Sequence, residues 1–397
     1  MRDARICPKI NIVKNLSFDE VQPRARDTAD NAQMRQVARM YYLEGKTRQA
    51  ISKELGLDPR KTSWLLDMAF KLGVVRIDIR SETEQEELAA RLQKKYNLKQ
   101  VFIAPPGPPI RKAEDAPLYP FLLRNLAILA ADYFDELVNR QEQENPGQPY
   151  RIGIAGGESL YAFVQAVQEK RRPQVHIHAT AVVAHGQLEP SASHVDPSTN
   201  ATNLWTKCGG EPGQVHYTTM TPFDTEERGP AARRYIKREL KRLLENKKIR
   251  AVLTEALELD VAFVGLGTLP PPPSKDKPAS KADATLRDRL TMVSLIQPLI
   301  TLKELRDEGA IGDLAYCLFD EECNSREDWR FFPTVGDVPE DYEHKGVNFY
   351  RHMVDQRRPV VAIAGPFKVG PIKAALKGRL INVLLTDEHT ARELVEA

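Results

Sequence analysis

The chain is poor in the features that would place it outside the ordinary globular class. Its four cysteines in 397 residues (Cys7, Cys208, Cys317 and Cys323) form no CxxC pair and no zinc spacing. Reduced thiols are therefore expected, and a disulfide scaffold or zinc module is not. No apolar run approaches the length of a membrane span. The opening MRDARICPKINIVKN has no apolar signal-peptide segment. The expectation is a cytoplasmic protein with no membrane partner. Nor does one charge sign dominate, since 57 Lys/Arg against 55 Asp/Glu give +2. A hydrophobic content of 42% leaves enough apolar material for two or three domains with their own cores.

The small net charge hides an asymmetry. Residues 31–80 hold ten Lys/Arg and five Asp/Glu, or +5, so the rest of the chain sums to −3 (2 − 5). A basic module on a slightly acidic body fits a nucleic-acid-binding head on a ligand-binding domain. Residues 1–30 are polar and aperiodic and read as a flexible lead-in. From Asn31 the pattern is helical, with Met34, Val37, Ala38, Tyr41 and Tyr42 on one face. Gly45 ends that helix and Thr47 caps a second, whose Ile51 and Leu55 face inward. Gly56 supplies a turn. Asp58 at an N-cap and Pro59 at the first helical position start a third helix, with Leu65, Leu66 and Ala69 buried. VVRIDIR (74–80) alternates like a short wing strand.

Two short helices joined by this turn have the form of a helix-turn-helix, whose second helix presents its outer face to base edges. The residues so presented are Arg60, Lys61, Ser63, Trp64 and Asp67, while Arg48, Arg35 and Lys53 are placed to meet phosphates. The alternative is a plain three-helix bundle with a solvated charged face. Trp64 is bulky for a base-reading position and reads more readily as a residue packed at a contact between subunits or domains.

After a charged connecting helix (81–98), strands and helices alternate. Strands are expected at 100–104, 150–155, 174–183, 260–265, 312–318, 359–364 and 380–385. Helices are expected at 117–140, 158–170, 226–246, 284–296, 345–356, 368–378 and 387–396. This is the grammar of a doubly wound, mostly parallel α/β sheet. LPPPPSKDKPASKAD (269–283) reads as a mobile loop, or a lid, beside it.

Four segments of this region share one form. RIGIAGGESLYAFV (151–164) runs from strand through Gly156 and Gly157 into a helix opened by Glu158 and Ser159. Such a turn offers backbone N–H groups and a positive dipole end to an anion. It is neither a Walker loop nor a GxGxxG fingerprint, and no cofactor is expected. DVAFVGLGTL (260–269) ends in Gly265-x-Gly267, GAIGDLAY (309–316) carries Asp313, and VVAIAGPFKVGPIKAAL (360–376) places Lys368 at a helix start. In an open α/β sheet the loops after the strands' carboxyl ends converge on one crevice. Glycine loops, an acid and a lysine meeting there suit a small polyhydroxylated anion such as a sugar phosphate, with the lysine on phosphate and the aspartate accepting sugar hydroxyls. Each residue also has a plain reading: a packing turn, a capping acid, a surface lysine. His185, His194 and Asp196 in VAHGQLEPSASHVDPSTNATNLWTKCGG (183–210) follow no metal-site spacing, and a polar loop is the expectation there.

Together MRQVARMYYLEGKTRQAISKELGL, KLGVVRIDIR, VAFVGLGTL, GAIGDL and VVAIAGPFKVGPIKAALKGRLINVLLTDEHTARELV resemble the SorC-type (sorbitol-operon regulator) transcriptional regulators. Their sugar-binding domain is related to the glucosamine-phosphate deaminase and ribose-phosphate isomerase fold. The resemblance implies a helix-turn-helix head and an effector domain that binds a phosphorylated sugar without turnover. It also implies a homo-oligomer, dimer or tetramer, on a palindromic DNA operator. By position Gly157 and Ser159 match the family's phosphate loop, Lys368 its pocket lysine, and Gly265, Gly267 and Asp313 other pocket-side motifs. Trp64 stands where an arginine is usual, Glu158 where an arginine or small residue is usual, and Pro366 where a glycine is. Two alternatives follow from the same residues: an isomerase- or deaminase-like enzyme, and a sugar-binding protein whose helical head contacts protein.

Overall fold

A computed structural model describes residues 25–42, 44–71, 74–75, 82–105, 119–183, 196–210, 225–269 and 299–396. The chain divides into two compact units, Met1–Ser81 and Glu82–Ala397.

In the first unit α1 (Ala25–Tyr42), α2 (Arg48–Leu55) and α3 (Pro59–Lys71) enclose a core of Met34, Val37, Ala38, Ile51, Leu65, Leu66 and Ala69. The first helix starts at Ala25, inside the segment expected to be a flexible lead-in. The Thr47 hydroxyl accepts from Ala50 N–H at 3.2 Å and so caps α2. Gly56 ends α2 in the left-handed region (φ +62°), which a residue with a Cβ enters only at a cost. The Asp58 carboxylate then accepts from Arg60 N–H at 2.7 Å, at the head of α3. Between α2 and α3 the buried hydroxyls of Ser52 and Thr62 lie 2.8 Å apart. The expected wing falls outside the described residues from residue 76 on.

The second unit is a three-layer α/β/α structure. Its parallel strands are β1 (Gln100–Ala104), β2 (Tyr150–Ile154), β3 (Val175–Ala179), β4 (Val261–Thr268), β7 (Val360–Ile363) and β8 (Val383–Asp387). They lie in the order β1-β8-β7-β4-β2-β3. Both faces are covered, so the central strands are apolar throughout and split their side chains by period two. Val261 and Phe263 of β4, and Val361 and Ile363 of β7, face one core with α5 (Tyr119–Glu144), α6 (Glu158–Ala166) and α7 (Pro197–Lys207). Ala262, Val264, Val360 and Ala362 face the other, with α4 (Glu82–Tyr96) and three helices numbered α11 (Val347–Asp355), α12 (Val369–Lys377) and α13 (Glu388–Glu396). Phe163 and Phe263 stack at 4.8 Å in the first of these cores. The segment read as a connecting helix is α4, and its Leu88 and Leu92 are buried in the sheet's second core.

Two expectations are corrected here. Residues 312–318 are not one strand but an antiparallel hairpin of β5 (Gly312–Leu314) and β6 (Cys317–Phe319), paired to the far end of β4. The turn residues Ala315 and Tyr316 both have positive φ (+47° and +71°), the backbone of a tight hairpin turn without its usual Asn or Gly. And residues 197–207, within the segment read as a polar loop, form α7. A third apolar cluster joins α8 (Gly229–Leu244), α9 (Lys247–Glu255) and α10 (Leu302–Asp307) to Trp329, Phe331 and Phe332. At its edge Glu308 accepts from Arg233 at 2.8 and 3.0 Å and from the Trp329 indole at 2.8 Å. The expected loop at 269–283 and helix at 284–296 lie outside the described residues, apart from Leu269. Among the described residues no helix is long and apolar enough to cross a membrane.

Candidate functional site

In the first unit the outer face of α3 carries Arg60, Lys61 and Trp64, all exposed, with Ser63 half-buried beside them. Trp64 is 50% exposed within this unit, which leaves its indole open to DNA or to a contact between subunits or domains. Arg48 at the start of α2 is exposed and lies over the Tyr41 ring at 5.6 Å. The face is cationic with one apolar ring among the charges. It offers phosphate contacts and a stacking or methyl-contacting surface.

In the second unit the topology defines one crevice. From β2 the chain passes through α6 to β3, away from β4; from β7 it passes through α12 to β8, in the opposite direction. β2 and β4 are neighbours, so the connections diverge between them, and ligands of such sheets bind outside the carboxyl ends at that point. The loop after β2 runs Ala155, Gly156, Gly157 and into α6. Gly157 has φ +110°, a conformation L side chains rarely adopt. Gly265 of β4 lies against this loop: a Cβ there would sit 3.5 Å from the Gly156 carbonyl oxygen and 3.1 Å from Leu160. The missing side chain lets the loop and strand approach. Beyond Gly265, β4 bends out of the parallel sheet to pair with β5, setting Gly267 opposite Asp313.

Asp313 is 6% exposed, and one of its carboxylate oxygens accepts from Tyr316 N–H at 3.2 Å. Lys368, 6% exposed, is the N-cap residue of α12 after β7. Burial pushes its ammonium pKa down, while the carboxylates of Asp313 and Glu158 act to hold it charged. The structure therefore brings Asp313, Lys368 and the Gly156–Ser159 loop together, with Gly265 and Gly267 beneath. Ser159 is buried in the first turn of α6.

Three further residues lie near this region, of which the sequence singles out only Asp196, weighed there as a metal ligand. Tyr316 is buried; desolvation, then Asp196, then Asp313, hold its phenol protonated far into the alkaline range. Asp196 caps α7, accepting from Ser198 N–H at 3.2 Å and Thr199 N–H at 3.1 Å. Asn200 donates to the Ala155 carbonyl at 3.1 Å and braces the loop after β2. A signal for these two does exist: Asp196-Pro197 repeats the Asp-Pro helix start of α3. His185 and His194 lie outside the described residues. Among the described residues no three His, Cys, Asp or Glu side chains are grouped to hold a metal ion.

A buried lysine, a buried aspartate and a glycine loop thus stand at the topological switch point of the sheet, the place where open α/β sheets bind small ligands. The sugar-binding domain family (Sugar-bind) matches residues 81–396, most of the chain, and the protein belongs to this family, of the SorC type. Similar proteins include the deoxyribonucleoside regulator of Bacillus subtilis, 24% identical over 91% of this chain and 96% of that protein. The transcriptional regulator LsrR of an Enterobacter species is 27% identical over 90% and 91%. The erythritol catabolism regulatory protein EryD of Brucella abortus is 24% identical over 92% and 97%. Among solved structures, the full-length sorbitol operon regulator SorC of Klebsiella pneumoniae superposes with a TM-score of 0.61. It has 21% identity, over 92% of this chain and 99% of that one.

Proposed function

We propose that the protein is a DNA-binding transcriptional regulator whose second unit senses a sugar, phosphorylated or not, or a related polyol. One observation carries the reading. The turns after β2 and β7, the strand β4 and the hairpin strand β5 carry Gly157, Lys368, Gly265 and Asp313 close to one another, in a chain that also has a cationic helix-turn-helix, and this supports the reading. Membership of a sugar-binding family whose similar proteins are regulators by name supports it. In this reading Arg48, Arg60, Lys61, Ser63 and Trp64 face DNA. Gly156, Gly157, Ser159, Gly265, Gly267, Asp313 and Lys368 hold the effector. The working form is a homo-oligomer, dimer or tetramer, on a palindromic operator, with no cofactor and no turnover. Effector binding shifts operator affinity, and linkage requires DNA to shift effector affinity by the same factor.

The test is binding of purified protein to DNA from its own upstream region, titrated with salt and with a panel of sugars, polyols and sugar phosphates. Sequence-preferring binding that one compound releases or tightens is the expected result. Absence of any preference at every salt concentration would sink the reading.

A second reading has one observation in its favour: a buried lysine beside a carboxylate is the pair an isomerase or deaminase would use for proton transfer. Turnover of pentose or hexosamine phosphates that disappears in Asp313→Ala would establish it.

A further inference from the structure

Glu158 occupies the first position of α6, immediately after Gly157 of the glycine loop, and its carboxylate adds to that of Asp313 in holding the buried Lys368 ammonium charged. A phosphate in this crevice would rely on two positive features, the α6 N-terminus and Lys368. Glu158 addresses both, and Asp313 addresses Lys368 a second time. The side-chain charges of Lys368, Glu158 and Asp313 sum to −1 (1 − 2). A phosphate monoester would add about −1.5 to −2. The hydrogen-bonding sense is equally unfavourable. Carboxylates accept only, and so does a phosphate dianion, so the two cannot bond without an extra proton. A hydroxyl both donates and accepts. It can give its proton to Glu158 or Asp313 and take one from Lys368. Beside the same loop, the buried Asn200 side-chain oxygen is a further acceptor with no hydrogen-bond partner among the described residues.

Resting on the regulator reading above, we propose that Glu158 closes this crevice to phosphate and that the effector is an uncharged polyhydroxylated compound, a free sugar or polyol. Glu158 is the residue that sets this specificity.

Inorganic phosphate is the probe. The full-length wild type, Glu158→Gln and Glu158→Ser are melted across a phosphate titration at constant ionic strength, and each variant is repeated with Lys368→Met added. The wild type should show no saturable rise in melting temperature. Both Glu158 variants should show one, with apparent phosphate affinity raised on the order of tenfold or more, and Lys368→Met should remove it. Gln keeps the size of Glu at a half-exposed position, so a misfolded Ser variant leaves the Gln arm intact. Saturable phosphate stabilisation of the wild type would overturn the inference. So would folded Glu158 variants that respond to phosphate no better than wild type. The titration reads the crevice alone; failure of every carbohydrate to alter DNA binding would instead strike the regulator reading.

Discussion

The backbone N–H of Tyr316 donates to the carboxylate of Asp313 across 3.2 Å, tying the turn of the β5–β6 hairpin to the acid that faces Lys368. The next residue back, Ala315, donates its N–H to the Gly265 carbonyl at 3.2 Å. The hairpin turn, the strand beneath it and the charged pair thus form one connected structure. Asp313 is the turn-capping acid that its position in the sequence suggests, and its charge also acts on the buried Lys368 ammonium.

Replacing Asp313 therefore removes two things at once. Asp313→Ala should cost about 3 kcal/mol in urea unfolding, because a turn loses its acceptor and a buried cation loses a compensating charge. Asp313→Asn keeps an oxygen for Tyr316 N–H, and Lys368 can shed its proton, so the loss should be roughly half as large. Both should abolish effector-dependent change in DNA affinity. Equal destabilisation by the two variants would show that the turn hydrogen bond contributes little.

The hydroxyl pair of Ser52 and Thr62 makes a sharper test in the head. Ser52→Ala or Thr62→Val alone leaves one buried hydroxyl unpaired and should cost about 1–3 kcal/mol. The double variant should recover most of that loss, since neither polar group then remains. Calorimetry of the full-length variants reads the difference; additive losses would contradict the pairing.

On the outer face of α3, the Arg60→Ala/Lys61→Ala double variant should weaken DNA binding at low salt. It should also flatten the plot of log affinity against log salt by about two. Trp64→Ala should change melting by no more than about 0.5 kcal/mol, as an exposed side chain, yet alter which DNA sequences are preferred. Anisotropy titrations with labelled duplexes distinguish the two behaviours. Unchanged binding in the double variant would favour a head that contacts protein.

The described thiols should be inert. Burial pushes Cys208 and Cys323 up to about 11 and Cys317 up to about 12. At pH 8 the Cys317 thiolate fraction is then on the order of one in ten thousand. In a Cys7→Ser background, native protein at pH 8 should resist alkylation that denatured protein undergoes readily. The sign for stability follows. Between pH 9 and 11 the unfolded chain sheds thiol protons that the folded chain keeps, so these groups lower stability as pH rises.

Much of this was legible in the sequence, and what was not has physical reasons. Apolar runs such as VVAIA, flanked by glycine, announce buried parallel strands because both faces of the sheet are covered. The nearness of Gly156-Gly157 and Lys368 is legible from topology, since both follow parallel strands and post-strand loops share an edge, whereas Gly265 lies within β4 and Asp313 within β5. The β5–β6 hairpin is not legible: Ala315 and Tyr316 carry none of the residues that favour positive φ, and tertiary bonds to Asp313 and Gly265 enforce it. α7 escaped because polar residues fill it, although its Asp-Pro start is the same signal that correctly placed α3. Nothing in the sequence singles out Ser52 and Thr62; only the packing of α2 on α3 shows that they are paired and buried.

Trp64 has one more consequence. The chain has three tryptophans, of which Trp329 is enclosed and Trp205 is partly covered, both in the second unit. Trp64 alone stands half in water, on the helix proposed to meet DNA. Its emission should lie to the red of the other two and be open to collisional quenchers. A blue shift with loss of quencher access on adding duplex would report engagement of the head without any label. The residue least expected on this surface makes the molecule its own optical probe.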